Sequence, residues 1–432
     1  MVECPRLTLY RIVFTVAVIF FGAESASALP IFARRYQTSC TTCHALIPKL
    51  NPFGIAFRNN GYRIPVNDAA FVKVQDVSLG APAWKKLWPK AVWPGEIPSV
   101  PPIAVRVATD VEIKPNDPTA HLNFNFPNNL GFYFAGPAGD TFSFFGQVLM
   151  LGATNTIVLD RAYGQLRLLP EKPASNLLNL KFGRIDTRAE PFATYRKSTL
   201  SNYNVGDYRV LSDGFGFRDH DAGIELWGVR TGPDGHGGLD YGVGVTQGTA
   251  GRPENNNSKD FYWTGSYKFG GMGVAGSPTL DTMPPSTNNY GEWSFALATF
   301  GYRGKRRTTV GFPAGAEDQF TRTGIKFDAY LADLNIFGAA VSGRDKIRSA
   351  MGPDIETTSF FAQADYMLLP WVMPSIRLEK TNYSGGRRAE RAVIAATNFA
   401  IRANVRAVIE GRFFGKDRPE KNDGTIRIEF LF

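Results

Sequence analysis

Between residues 402 and 414 the side chains Arg402, Asn404, Arg406, Glu410 and Arg412 fall on one parity of the chain, and Ala403, Val405, Ala407 and Ile409 on the other. The same alternation separates Arg322, Lys326 and Asp328 from Thr323, Ile325, Phe327 and Ala329. It separates Arg161, Tyr163, Gln165 and Arg167 from Ala162, Gly164, Leu166 and Leu168. Successive side chains of a strand point to opposite faces, so each stretch reads as a strand with one charged and one apolar face. A charged face repeated this often cannot be the buried side of a sandwich. The solvent side of a soluble sheet would accept it. The lumen of a closed antiparallel barrel, with the apolar face against hydrocarbon, accepts it better.

The end of the chain follows the same rule. In Thr425-Ile426-Arg427-Ile428-Glu429-Phe430-Leu431-Phe432, Ile426, Ile428, Phe430 and Phe432 share one face and Arg427 and Glu429 the other. A final alternating strand with a terminal Phe resembles the last strand of bacterial outer-membrane barrels. With 44 Gly, 33 Phe and 16 Tyr, the composition suits many strands. Strands are predicted at 102–113, 121–134, 141–152, 157–169, 177–185, 214–228, 239–247, 260–269, 292–303, 318–333, 335–343, 357–368, 371–381, 391–401, 402–414 and 424–432. That makes sixteen, an even number, as a bacterial barrel requires. The break near 401 carries no turn signal, and Pro127-Asn128-Asn129 interrupts 121–134. Longer connections rich in Gly, Pro, Asn and Ser fall at 186–213, 249–259, 270–291 and 304–317, and resemble the long extracellular loops of porins.

The other end reads as an export signal over residues 1–28. Arg6 and Arg11 precede the apolar run Ile12–Ala23, and Ala26-Ser27-Ala28 supplies a small-residue cleavage site. Beyond it no apolar run is long enough for a transmembrane helix. Removal of the signal takes Cys4 and leaves two cysteines, so no disulfide framework is expected. The formal net charge is +9, but the basic residues are spread along strands and no nucleic-acid-binding pattern is visible, so no nucleic-acid partner is expected. No convincing Ser-His-Asp triad, P-loop or dinucleotide fingerprint occurs. Gly214-Phe215-Gly216 reads as strand and turn glycines.

Both remaining cysteines lie in Cys40-Thr41-Thr42-Cys43-His44. Two thiols three residues apart on a helical turn can form thioethers to one porphyrin, and the adjacent imidazole can bind its iron, so Cys-x-x-Cys-His reads as a c-type haem site. A disulfide, a thioredoxin-like pair or half a zinc site are the competing readings; no second Cys pair and no βαβ pattern supports the last two. A small helical unit is expected around the motif, residues 29–64. Asn51 caps a helix that begins at Pro52 and ends at Gly61, offering Phe53, Phe57 and Tyr62 to pack on the porphyrin. The second axial ligand is left open. The first Met after His44 is Met150 and the only His between them is His121; base rates favour a surface or interface role for each. Residues 65–100, with Trp84, Trp88 and Trp93 among five prolines, read as an ordered connector or plug portion, and residues 101–432 as the barrel. Asp219-His220-Asp221 is a tempting metal cluster, but on a strand His220 would face away from both carboxylates. Asp219, Asp221 and Glu225 would line the lumen, where pairing with Arg and Lys is the commoner fate, and no iron site is assigned there.

From Leu29-Pro30 through Phe32-Ala33-Arg34 and the motif to Leu50-Asn51-Pro52-Phe53-Gly54, Phe57 and Gly61-Tyr62, the chain resembles the fused outer-membrane cytochrome–porins, whose best-known members are iron oxidases. The motif-level likeness spans residues 29–63; beyond it only the architecture of about sixteen strands matches. The resemblance implies a mainly β fold, an outer-membrane antiparallel barrel with a small N-terminal haem segment carrying one c-type haem. It implies an outer-membrane location and an oxidoreductase that takes one electron from an extracellular donor, Fe(II) first among them, and hands it to a periplasmic cytochrome or other carrier. The alternative is a solute or anion porin whose haem segment is a regulatory or structural plug, with Arg322, Lys326, Arg402, Arg406 and Arg412 lining the lumen.

Overall fold

A computed structural model describes residues 31–74, 77–78, 96–97, 101–139, 141–152, 154–169, 175–211, 214–277, 279–280, 282–284, 290–307, 317–348, 354–415 and 421–432. The expected signal at 1–28 lies outside the described residues, as do the three tryptophans of the 65–100 connector.

Sixteen antiparallel strands close into a single barrel. They are β5 (Ile103–Ile113), β6 (Leu122–Ala138), β7 (Phe142–Leu151), β8 (Thr156–Arg167), β9 (Ser175–Ile185), β10 (Asp221–Thr231), β11 (His236–Thr246) and β12 (Asp260–Met272). There follow β13 (Glu292–Arg307), β14 (Glu317–Ala332), β15 (Leu334–Ile347), β16 (Ile355–Tyr366), β17 (Val372–Tyr383), β18 (Glu390–Arg402), β19 (Val405–Phe414) and β20 (Asp423–Leu431). Before them come two short ladders, β1 (His44–Leu46) with β2 (Lys49–Leu50), and β3 (Val77–Ser78) with β4 (Glu96–Ile97). The last strand pairs with the first barrel strand, Arg427 opposite Asp110 and Glu429 opposite Ala108, which removes both sheet edges.

The sides of the wall are inverted relative to a soluble protein. Ile157, Ile224 and Ile325 stand outward at 68%, 57% and 58% exposure, while Arg322, Arg377 and Glu225 point inward and are buried. Many of the inward charges are paired: Arg322 Nη2 lies 2.8 Å from Asp345 Oδ1, and Arg427 Nε lies 2.5 Å from Asp110 Oδ1. An apolar exterior around a polar, ion-paired interior is the arrangement a barrel needs in hydrocarbon.

Several predicted boundaries move. The strand expected at 214–228 begins only at Asp221, because Phe215 and Phe217 leave the wall and fill an interior aromatic cluster. Their Gly-Phe-Gly-Phe alternation imitates a strand. Pro127 does not end β6, which runs on to Ala138 past a register shift opposite Ala108 and Asp110. The break expected after residue 401 falls at Ala403-Asn404, so Arg402 and Asn404 do not share the lumenal face of β19 with Arg406 and Glu410. The four long connections also do not share one end. Tracing the strands places 186–211 and 214–220, 247–259 and the end of β13 at Arg307 at the far end, but the described residues of 273–291 at the near end, where β5 starts and β20 finishes.

The lumen is filled by two inserts. Residues 31–74 occupy the near end, with helices α1 (Ile31–Tyr36), α2 (Pro52–Asn59) and α3 (Asp68–Phe71). The 186–220 connection, of which 186–213 is expected as an outer loop, folds inward from the far end. Its Phe192, Tyr203, Val205, Phe215 and Phe217 pack on Phe300, Phe320, Phe337 and Phe361 of the wall. Its short helix α4 (Asn204–Asp207) meets β16 and β17, where Asn204 Nδ2 donates to Ser359 Oγ at 3.0 Å and Thr381 Oγ1 at 3.0 Å.

Candidate functional site

Cys40–Thr42 forms a single helical turn of the 3₁₀ type, and His44 opens the β1–β2 hairpin. Local hydrogen bonds impose this shape. Ser39 Oγ accepts from the Thr41 amide at 3.3 Å, Thr38 and Thr42 hydroxyls meet at 2.7 Å, and Asn51 Nδ2 donates to the Thr42 carbonyl at 3.0 Å. Asn51 is shared, because its Oδ1 accepts from the Gly54 amide at 2.9 Å and caps α2, with Pro52 at the first helical position. Gly61, at φ +66°, follows the end of this helix. Gly54 is the point of closest approach: a Cβ there would lie 2.1 Å from the Cys43 carbonyl oxygen. The helix therefore rests directly on the backbone of the motif.

Above this turn lies an apolar cavity of about 260 Å³, lined by Cys40, Cys43 and His44 together with Phe53, Phe57 and Tyr62. Both thiols are free. His44 Nδ1 is buried and has no hydrogen-bond partner. Burial pushes the Cys43 thiol up to about 12 and, against the opposing Pro48 carbonyl, holds the His44 imidazole down at about 4, so both are neutral near pH 7. Phe32 stacks on Tyr62 (centroids 5.5 Å apart, planes at 12°) and meets Phe57 edge-on at 4.9 Å. Two uncommitted thiols and one uncommitted imidazole nitrogen thus border one apolar space, which could hold a flat hydrophobic cofactor. The wall completes the cavity with Ala104, Tyr133, Ala135, Phe145, Arg161 and Tyr163, and the 273–291 connection adds Met283. The sequence placed Arg161 and Tyr163 on a lumenal strand face but marked none of these as cavity residues, since each comes from an element distant in the chain.

The segment is held rigidly. Lys49 Nζ is fully buried and lies 2.5 Å from Asp365 Oδ2 and 2.7 Å from Asn335 Oδ1. Arg58 reaches Asp186 Oδ2 at 2.9 Å and stacks on the Tyr195 ring at 4.2 Å, joining the two lumenal inserts. The Tyr62 and Tyr163 hydroxyls meet at 3.2 Å. Asn60 Nδ2 donates to the Ala275 carbonyl at 2.8 Å and Asn59 Nδ2 to the Val274 carbonyl at 2.9 Å, which ties the 273–291 connection to the segment.

The remaining residues singled out from the sequence stand elsewhere. His121 sits exposed at the far end, its Nδ1 3.3 Å from the Lys114 carbonyl, and Met150 is on β7 at 40% exposure; neither lines the cavity. Asp219 and His220 precede β10, so the strand argument does not apply to them. Asp219 binds Arg209 at 2.5 Å and Arg306 at 2.6 Å, and His220 Nδ1 lies 2.9 Å from Asp160 Oδ1. Asp221 accepts from the Thr249 and Gly251 amides, and Glu225 accepts from the Tyr262 hydroxyl at 2.9 Å. Among the described residues no group of three or more His, Cys, Asp or Glu side chains gathers in a metal-holding arrangement.

No family model and no curated protein matches the chain. Solved structures do. The anion-selective porin from Comamonas acidovorans superposes with a TM-score of 0.52 at 10% identity, over 76% of this chain and 98% of that one. OmpT, an outer membrane protein of Vibrio cholerae in its trimer form, superposes with a TM-score of 0.51 at 11% identity, again over 76% of this chain and 98% of the other. At such identities the likeness concerns the fold, and that fold is a porin-type barrel.

Proposed function

We propose that this protein is an outer-membrane electron conduit: a porin-type barrel whose lumenal N-terminal segment carries one c-type haem and passes single electrons from an extracellular donor to a periplasmic carrier. The observation that carries the reading is the convergence of the Cys40 and Cys43 thiols and the partnerless His44 Nδ1 on one apolar cavity inside the wall. In this reading Cys40 and Cys43 would hold the haem through thioethers, His44 would ligate its iron, and Phe53, Phe57 and Tyr62 would pack on the ring. When bound, the haem supplies a one-electron Fe(III)/Fe(II) couple. The chain's own part is to bury that couple, keep His44 neutral and oriented, and exclude water with the aromatic lining. Lumenal aromatics extend beyond the cavity. Tyr62 stacks on Phe145 and Phe145 on Tyr163, and Tyr163 belongs to the same buried cluster as Tyr302 and Phe320 toward the far end. Fe(II) is the donor proposed first, because a barrel-housed acceptor leaves poorly soluble oxidised iron outside the cell. Outer-membrane placement rests on the apolar exterior and ion-paired interior of the wall.

A second reading is favoured by the fold comparison: a solute or anion porin in which residues 31–74 act as a plug. Lumenal Arg322, Arg377 and Arg406 are the groups that would select anions. Purified protein separates the two. The conduit reading expects a c-type haem spectrum, lost when Cys40 and Cys43 are replaced by Ser, and stopped-flow reduction of the haem by Fe(II). Strong anion conductance in liposomes, with no haem reduction by Fe(II) at any pH, would sink the conduit in favour of the porin. Fractionation with inner membrane or soluble periplasm would overturn the location.

A further inference from the structure

We infer that Met283 supplies the second protein ligand to the haem iron, with His44; this rests on the haem reading above. The chain has seven Met and four His. Among the described residues, His44 and Met283 are the only two of these that line the cavity. Met150 faces outward, His121 and His236 are exposed, and His220 is engaged by Asp160. Met367 and Met373 pack in a separate cluster around Ala45 and Leu46. Met272 touches the aromatic cluster but does not reach the cavity lining. Met283, by contrast, packs against the same cluster as Cys43 and borders the space into which both thiols and the imidazole open.

Topology explains how so remote a residue arrives there. The 273–291 connection is the one long connection at the near end, where residues 31–74 enter the lumen. The bonds from Asn59 and Asn60 to the Val274 and Ala275 carbonyls pin its first turn to α2. The Thr231 hydroxyl donates to the Gly276 carbonyl at 3.1 Å and accepts from the Ala275 amide at 3.2 Å, fixing the same turn to β10. Beyond that turn Leu280 and Met283 pack onto the aromatic cluster and share a second space with Tyr36 and Phe71. Chemistry points the same way. A thioether is a soft, neutral donor that costs little to bury in an apolar pocket, and His/Met ligation stabilises ferrous iron and raises the potential. A protein built this way would take its second iron ligand from the 273–291 connection, not from the haem segment, so that ligand would reach the iron only when the segment is docked.

The test uses the full-length protein purified with its haem. A reduced pyridine spectrum first establishes whether a c-type haem is attached; its absence in the wild type overturns the haem reading itself. With haem present, the ferric wild type should be low-spin and show the near-infrared sulfur-to-iron charge-transfer absorption. Met283→Leu should abolish that absorption, shift the haem to high spin and open the iron to carbon monoxide or imidazole, while the pyridine spectrum still reports full covalent attachment. Met283→His should restore a low-spin spectrum without the sulfur absorption and with a lower potential. Met272→Leu should leave every signal as in the wild type. Retention of the sulfur absorption in Met283→Leu, its loss in Met272→Leu, or its absence from a haem-loaded wild type would each overturn the assignment.

Discussion

Replacing Lys49 with Met should undock the N-terminal segment without opening the barrel. Lys49 and Asp365 are both fully buried, with Nζ 2.5 Å from Oδ2. The lysine also donates to Asn335 Oδ1 at 2.7 Å and lies 4.8 Å from the centre of the Phe337 ring. Met is close to Lys in length and fills the apolar part of the site, so packing is largely kept while the charge is lost. The Asp365 carboxylate then retains Ser198 at 3.0 Å and Gln363 at 2.7 Å on its other oxygen, but no cation. Stripping one partner from a buried pair costs about 3–5 kcal/mol, which is about a 150- to 4,000-fold shift toward the undocked segment. Amide hydrogen exchange in the β1–β2 hairpin and α2 reads this shift directly, because local opening sets the protection of those amides. Exchange in the wall strands and heat-modifiable migration should stay as in the wild type. The double variant Lys49→Met/Asp365→Asn removes the orphaned charge and should recover most of the protection. Unchanged exchange in the single variant, or a double variant as unprotected as the single one, would refute the idea that this ion pair holds the segment in place.

Other outcomes follow from the same geometry. Gly54→Ala drives a Cβ to within 2.1 Å of the Cys43 carbonyl oxygen, so α2 must lift from the motif; thiol alkylation of Cys40 and Cys43 in haem-free protein should accelerate, and an unchanged rate would show that the turn does not depend on the helix. Phe215→Ala removes a ring stacked on Phe320 at 4.3 Å and should loosen the inward-folded 186–220 connection by about 3–5 kcal/mol. Hydrogen exchange over that connection checks the size, and a rise in single-channel conductance would show that it narrows the lumen. For pH, burial alone would raise the Asp219 carboxyl, but hydrogen bonding and charge from Arg209 and Arg306 outweigh it and hold the group below its ordinary 3.8. A carboxylate depressed in the folded state contributes stability above its unfolded value and loses it as pH falls through the folded one. Protection of residues 209–219 should therefore be flat from neutral pH to about pH 4 and fall only in stronger acid. Loss of protection beginning near pH 6 would contradict the pairing.

The strand count and the sidedness of the wall were legible before any coordinates, because the period of two in a strand maps parity directly onto in and out. Arg322, Lys326 and Asp328 show this, as do Arg427 and Glu429 in the closing strand. Phe215 and Phe217 were misread for the same reason: alternating Gly and Phe satisfies the period of two, and nothing local distinguishes a wall strand from an interior turn that needs two rings on one side. His220 does turn away from Asp219 and Asp221, toward Asp160, although it precedes the strand from which that orientation is argued. The near-end location of 273–291 depends on counting strands from the closure point, which a loop's composition does not encode.

The sequence by itself determined the barrel class, the even strand number, the Cys40–His44 motif and the Asn51-Pro52 start of α2. Each is written in spacing over a few residues, where covalent geometry dictates direction. Only the tertiary structure decided what surrounds the motif. Lys49 finds Asp365, Arg58 finds Asp186, and Met283 reaches the cavity of His44 across more than half the chain. Those meetings follow from how a closed barrel aligns its ends and fills its lumen, and burial of charge and apolar surface, not local propensity, selects them.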